Sequence, residues 1–581
     1  MSALYHDSAA ALVRGGDILA AAQEERFTRV KHDPRFPTDA IAYCTQVAGG
    51  PGAIDAVAFY EDPVLALDRV IKSTIEMGPA AEAIWADAAA SQFGRKINIV
   101  GDLTRTLGPD AADNVFLVEH HLSHAASAFY PSPFREAAIV TLDGVGEWAS
   151  TIIGHGQDSS IEALVETRFP HSLGLLYSAF TYHCGFRVNS GEYKLMGLAP
   201  YGKPSYVQTI LDYLIDLRED GSFRLNSEYF GHLTSTVATN EAFEALFKCP
   251  RRSAEDRITV EYRDIAASMQ AVIEGAMLRI CRHALRVTKS RNLCLAGGVA
   301  LNCVATGRLL RALPDLGGIW VQPASGDAGG ALGAALQVSH AEFGAARHLG
   351  IGRHDAQQGS FLGPEYHANE IAAELRNFGL RWQECEDGAT YDERVSQALA
   401  DGLIVGRFDG RMEFGPRALG NRSILADPRR ADIKDVINTR IKQREAFRPF
   451  APAVPIERVA EYFHIEQPDP FMTIAPRVRA DKADQIPAVV HVDGTGRIQT
   501  VSHNANPRYH RLITEFGRIT GVPVLLNTSF NRQEPVVERA EEAVSCYLRT
   551  GMDVLVLGDH YCTDRNPAAV ERAIASFARV V

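Results

Sequence analysis

Apolar residues fall along this chain in two alternating textures. Short runs of strand length read LYHDSAAALV, DILAAAQ, AIDAVAFY, AAIVTLDG, STIIGHG, NLCLAGGVAL and GIWVQPAS. The first two are joined at Gly15-Gly16, which predicts a hairpin, because paired glycines accept the positive φ of a tight turn. Longer stretches separate the later runs. One of them, YRDIAASMQAVIEGAMLRICRHALRV, carries its apolar residues at helical spacing. Strands alternating with helices predict an α/β layer architecture.

The texture changes after ALGAALQVSHAEFG. From about Ala345 to Tyr366 the chain is rich in Gly, His and Gln and has no periodicity, which predicts a domain boundary. A first domain over residues 1–350 and a second over 365–581 are expected. The second opens with helices EIAAELRNFG and ERVSQALADG and strand LIVGRFDG, then runs through GVPVLLNTSFN to DVLVLGDHY. At 581 residues, the chain is longer than one core normally supports, so two domains agree with size as well.

Composition narrows the function classes. A net charge of -12 argues against broad binding to nucleic acid or acidic membranes. Nine cysteines without a CxxC pair read as reduced thiols, and no apolar run reaches membrane-spanning length, so a cytoplasmic setting is expected. The start, MSALYHDSAAALV, enters strand-like sequence almost at once, as a first strand would if translation began upstream of Met1.

The candidate chemistry starts at HHLSH. His120 and His124 are four residues apart and share one face of a helix. The following strand ends in Asp143, and Asp327 stands alone in SGDAGGALGAAL. A bare HxxxH is more often an ordinary helix pair. Two imidazoles with two carboxylates, however, suit iron, manganese or zinc better than calcium. Glycine-rich turns after strands (Gly144 in DGVGEW, Gly297 and Gly298 in LAGGVALN, and SGDAGGALGAAL) can bring backbone amides close to phosphate. Three such turns behind a starting hairpin are characteristic of an actin-like ATPase fold.

The basic residues concentrate elsewhere. Between Arg407 and Arg448 lie eleven Lys/Arg against six Asp/Glu, set among Gly, Pro and apolar positions as in EFGPRALGNRSIL. Arginines in rigid settings suit bidentate recognition of phosphate or carboxylate.

A resemblance becomes specific at this point. The stretches YHDSAAAL, AAAQEERFTRVKHD, VEHHLSHAASAFYPSPF, VTLDGVGEW, GEYKLMGLAPYGKP, LAGGVALNCVATGRL, SGDAGGALGAAL, FGPRALGNRSILADPR, KQREAFRPFAPAV and LNTSFNRQEPVV resemble the O-carbamoyltransferases of antibiotic and nodulation-factor biosynthesis. The first domain also resembles the actin-like, metal-containing transferase that makes threonylcarbamoyl-adenosine in tRNA. The second resembles YrdC-like carbamoyl-adenylate synthases.

The resemblance implies a divalent metal, iron foremost, on His120, His124, Asp143 and Asp327, with His121 outside the set. It implies His6 as the base for the acceptor hydroxyl, although Leu4 stands where family members can carry an acid. Lys31 would neutralise the adenylate, and Lys194, Gly197, Gly297, Gly298 and Asn302 would line the nucleotide. In the second domain, Arg417, Lys442, Arg448 and Arg497 would bind carbamoyl phosphate or ATP phosphates, completed by Asn527 and Ser529.

The implied reaction makes carbamoyl-adenylate from carbamoyl phosphate and ATP and passes the carbamoyl group, through a closed channel, to a small-molecule hydroxyl. Residues Asp62 to Gln92 and Asp220 to Arg263 are the expected acceptor regions, and a homodimer is compatible with this reading. Three alternatives are weaker. A tRNA-modifying transferase leaves the arginine-rich domain unused, as does a sugar kinase. A nucleotide-switch protein needs no HHLSH.

Overall fold

The computed structural model describes residues 1–108, 114–235, 237–349, 355–385 and 387–577, so the predicted boundary at 345–366 lies partly outside them. The chain divides into two compact units. One is Met1–Glu24 with His32–Ala356, and the other is Glu25–Lys31 with Gln357–Val581. Among the described residues no helix is long and apolar enough to cross a membrane.

The first unit opens with the predicted hairpin, β1 (Ala9–Arg14) against β2 (Asp17–Gln23), turning at Gly15 and Gly16 with φ of 57° and 90°. Strands β3 (Val57–Phe59) and β4 (Val115–Leu117) form a parallel pair. The main sheet takes β5 (Glu136–Leu142), β6 (Ala149–Gln157) and β7 (Ser160–Arg168) as an antiparallel meander. A small hairpin of β8 (Ile215–Leu217) and β9 (Phe223–Leu225) lies apart from it. Then β10 (Asn292–Ala296) and β11 (Gly318–Val321) join parallel to β5, giving the order β11-β10-β5-β6-β7. Central β5 and β10 are continuous apolar runs because both faces are covered. Edge strand β7 is mostly exposed, and its mixed sequence SIEALVETR gave no strand signal.

Two helices decide where the chemistry sits. The His120–Phe129 helix precedes β5, and the Asp327–Ala341 helix packs against it. Small residues make that contact possible. A Cβ on Gly333 would lie 2.7 Å from the backbone N of Ser127, and one on Gly330 would lie 2.9 Å from the Tyr60 ring. Only glycine permits this spacing.

In the second unit, eight strands follow the order β12-β19-β18-β13-β14-β17-β15-β16. Their ranges are β12 (Gln383–Glu384), β13 (Val405–Phe408), β14 (Arg422–Ala426), β15 (Ala451–Pro455), β16 (Gln499–Val501), β17 (Leu525–Ser529), β18 (Val554–Leu557) and β19 (His560–Cys562). Helices Gly388–Ala400 and Pro507–Thr520 supply Val395, Leu399, Leu512 and Phe516 to a core shared with Val405, Leu425 and Val554.

The basic stretch of this unit is partly structural. Arg407 is fully buried and donates to Asp409 at 2.6 Å and to the Tyr391 hydroxyl at 3.2 Å. Arg422, also fully buried, donates to the carbonyls of Asp409 and Gly410 and stacks 3.6 Å over Phe408. Arg429 and Arg430 pair with Asp427 and Asp432. These four hold the fold, so the surplus of positive charge available to a ligand is smaller than the sequence count suggested.

Candidate metal centre and active site

His120 and His124 occupy the first turns of a buried helix whose backbone start is fixed by Glu147. That carboxylate accepts from the N–H of His120 at 2.9 Å and of Asp62 at 2.8 Å, a favourable place for negative charge at a helix N-terminus. Asp143 follows the last residue of β5. Its Oδ2 lies 3.0 Å from His120 Nε2 and 3.6 Å from His124 Nε2, while Oδ1 accepts from the Gly298 N–H at 2.8 Å. Asp327, first residue of its helix, brings Oδ1 to 3.8 Å from both imidazole Nε2 atoms. The two Nε2 atoms stand 3.1 Å apart, and ligand atoms of all four residues lie within 4.8 Å of one another. His121 turns elsewhere and meets Thr141 Oγ1 at 2.6 Å.

The donor set fits a divalent cation on a specific ground. Asp327 is buried, yet its Oδ1 has no hydrogen-bond partner among the described residues. A buried carboxylate oxygen without a donor is costly unless a cation supplies the missing charge. Electrostatics agree. Burial disfavours a charged His120, but the hydrogen bond it donates to Asp143 and the charges of Asp327 and Asp143 override it and raise the ring to about 9. Burial likewise opposes ionisation of Asp143, yet contacts with the two histidines hold its carboxyl well below the usual range. The pocket therefore favours positive charge between these groups.

His6 reaches the same cluster. Its Nε2 is 3.8 Å from Asp327 Oδ2, and its Nδ1 is 3.0 Å from Asp7 Oδ2. Burial would lower this ring, but Asp327 and Asp7 raise it to about 10. Tyr60 adds a hydroxyl 3.4 Å from Asp327 Oδ2. Glu147, Tyr60 and Asp7 were absent from the sequence-derived set. Of these, Asp7 carried a readable signal, since an acid directly after a candidate base is a natural orienting partner.

The proposed nucleotide residues have more varied settings. Gly144 sits in the Asp143 loop with nothing within 4 Å of where a Cβ would project. Gly297 has φ 90°, and it and Gly298 pack against Leu142 and Asp143, so these glycines support a cluster ligand. Asn302 caps the Cys303–Ala312 helix through the Ala305 N–H and exchanges two 3.0 Å amide bonds with Gln270. Lys194 and Gly197 lie on the half-buried Glu192–Leu198 helix, with the Lys194 ammonium 5.9 Å over Phe186. Lys31 is exposed and belongs to the Glu25–Lys31 segment that groups with the second unit.

Within that second unit the structure brings Lys442 and Ser529 together. The fully buried Lys442 ammonium donates to Ser529 Oγ at 3.2 Å, to the Asn531 carbonyl at 2.9 Å and to Asn531 Oδ1 at 2.7 Å, among other acceptors. Burial, reinforced by Arg444, holds it well below the usual lysine range. Asn527 donates to Gln499 Oε1 at 2.8 Å and to the carbonyl of Ala418, next to Arg417. The Arg448 carbonyl accepts from Asn438, four residues before Lys442. Arg417, Arg448 and Arg497 are half-buried, and Arg497 lies close enough to His491 to disfavour its protonation.

Comparison with known proteins follows the same division. Residues 1–336 match the family model described as the carbamoyltransferase N-terminus, and residues 396–564 match the carbamoyltransferase C-terminus. The uncharacterized protein sll1178 of Synechocystis sp. is 48% identical over 96% of this chain and 95% of its own length. Nodulation protein NolNO of Sinorhizobium fredii is 38% identical over 96% of this chain and 79% of its own. Among solved structures, HypF of T. kodakarensis covers 43% of this chain and 39% of its own at 17% identity, and its TM-score of 0.25 is too low to argue from. Matched in both halves by models of one enzyme family, the chain belongs to the carbamoyltransferases.

Proposed function

We propose that this carbamoyltransferase converts carbamoyl phosphate and ATP to carbamoyl-adenylate and transfers the carbamoyl group to a hydroxyl of a small-molecule acceptor. The observation that carries the reading is the buried cluster of His120, His124, Asp143 and Asp327 with its unpartnered Asp327 oxygen, in a chain of this family. These residues would hold a divalent metal, with Fe2+ foremost and Mn2+ or Zn2+ as alternatives. The metal would supply Lewis-acid polarisation of the acyl group and its phosphate.

The residues of the chain provide the rest. His6 faces the cluster with Nε2 and takes the hydroxyl proton there, while AMP departs as the carbamoyl–oxygen bond forms. Of the carboxylates that raise His6, Asp327 and Asp143 would be partly neutralised by a cation, which favours the basic form. In the second unit, Arg417, Lys442, Arg448, Arg497, Asn527 and Ser529 are assigned to cleavage of carbamoyl phosphate and adenylation of the released carbamate. For Lys442 this role is indirect, because its three N–H groups already face protein acceptors.

The order β11-β10-β5-β6-β7, an antiparallel meander extended by two parallel strands, supports the actin-like reading of the first unit. The YrdC-like reading of the second rests on its motifs. Nine free, buried cysteines suit a cytoplasmic setting.

The test is mass spectrometry of the enzyme with ATP, carbamoyl phosphate and a pool of hydroxylated metabolites. AMP, pyrophosphate and a product one carbamoyl group heavier are expected. ADP and phosphate in their place would refute the adenylate route. Arg448→Ala should block adenylate formation yet still yield product when carbamoyl-adenylate is supplied.

A further inference from the structure

We infer that Asp7 and His32 are positioning residues that fix His6 in its productive tautomer. This rests on the reading of His6 as the base. The geometry is a chain of three groups. His32 Nδ1 lies 2.8 Å from Asp7 Oδ1, Asp7 Oδ2 lies 3.0 Å from His6 Nδ1, and His6 Nε2 points at the metal cluster, 3.8 Å from Asp327 Oδ2. A carboxylate can only accept, so both imidazoles donate to Asp7 from Nδ1. The proton of His6 is thereby placed on Nδ1, and the Nε2 lone pair faces the site where a hydroxyl must lose its proton.

The backbone is built around this arrangement. The Leu4 N–H donates to the Pro34 carbonyl at 2.9 Å and the Ser8 N–H to the Asp33 carbonyl at 3.1 Å, so the segment carrying His6 is tied at both its ends to the residues that follow His32. Asp33 is itself buried and clasped by Arg35. Leu4, Asp7 and His32 have φ of 71°, 50° and 55°, the left-handed region that side chains other than glycine seldom adopt. Three such residues around one imidazole mark backbone strain held for a purpose. Both contacts lower the Asp7 carboxyl strongly, although burial acts the other way. It therefore stays an acceptor throughout the proton transfer. The hydroxyl proton moves to Nε2, the imidazolium that forms carries protons on both nitrogens, and Asp7 compensates its charge without taking a proton.

The experiment compares Asp7→Asn, His32→Ala, His32→Gln and His6→Ala in the full chain by four measurements. These are metal content as purified, carbamoyl-phosphate-dependent ATP–pyrophosphate exchange, AMP release with water as the acceptor, and the downfield proton NMR signal of a His Nδ1–H on a carboxylate. Asp7→Asn should lower AMP release at least about 100-fold, the lower end of what a positioned base contributes, and abolish the His6 signal. Exchange and metal content should stay at wild-type levels. His32→Ala should fall about tenfold, and His32→Gln, whose amide can still donate to Asp7, should recover most of the rate.

Asp7→Asn and His32→Ala at wild-type rates beside an inactive His6→Ala would overturn the relay and leave His6 as the base. A fully active His6→Ala would instead overturn the base reading itself. Loss of metal in Asp7→Asn would show that this carboxylate serves the ion, which also defeats the inference.

Discussion

The Nε2 atoms of His120 and His124 lie 3.1 Å apart, both buried and both directed toward Asp143 and Asp327. Two imidazole lone pairs at that distance repel unless a proton or a cation lies between them. His120→Ala with His124→Ala should therefore reduce metal per chain at least about tenfold by elemental analysis. Transfer should vanish while carbamoyl phosphate cleavage persists. Loss of both activities would contradict the assignment of the two reactions to different units.

Gly333 sets the spacing of the two helices that carry three of the four cluster residues. Gly333→Ala introduces a Cβ 2.7 Å from the Ser127 nitrogen, against backbone that cannot yield cheaply. A loss of about 2 kcal/mol or more is expected in denaturant unfolding, with weaker metal retention. Gly326→Ala, with open space at its Cβ, should do neither.

Lys442→Met should act mainly on stability. It takes the lysine donor away from Ser529 Oγ and from the buried Asn531 carbonyl, at about 1–3 kcal/mol each. Thermal unfolding should shift down by several degrees. A variant with an unchanged Tm that fails only to bind carbamoyl phosphate would restore Lys442 as a direct ligand.

His183 should contribute to acid sensitivity. It is fully buried beside Phe243, Phe247 and Tyr262, and neither ring nitrogen has a hydrogen-bond partner among the described residues. Burial, with a smaller push from Arg251, lowers it from 6.5 to about 4. The unfolded chain therefore takes up a proton first on acidification. Stability from the neutral ring is complete above pH 6.5 and is lost as pH falls toward about 4, a gap equivalent to about 3 kcal/mol. His183→Phe should flatten unfolding free energy against pH in that window. An unchanged slope would clear His183 of the effect.

Legibility in the sequence followed the strength of the local signal. The Gly15-Gly16 hairpin, the continuous apolar strands β5 and β10 and the long Val260–Thr288 helix all show periodicity or turn chemistry, and all formed where expected. Strand β7 escaped because an exposed edge needs no apolar alternation. His120, His124, Asp143 and Asp327 were readable because their residue types are unusual in apolar, glycine-rich surroundings. Glu147 and Tyr60 were not, since their roles exist only once distant segments meet. The basic stretch misled for a related reason. Burial turned Arg407 and Arg422 into fold-holding groups, and no count of charge reveals burial.

Asp327 begins a helix that Gly330 and Gly333 press against its neighbours, so its carboxylate cannot swing away from the cluster to find water. Folding thus commits the chain to a hollow lined by two carboxylates before any ion arrives. Whatever cation the cell supplies is repaid in rigidity, by mass action on the native state, and chelation should loosen the whole first unit rather than merely silence it.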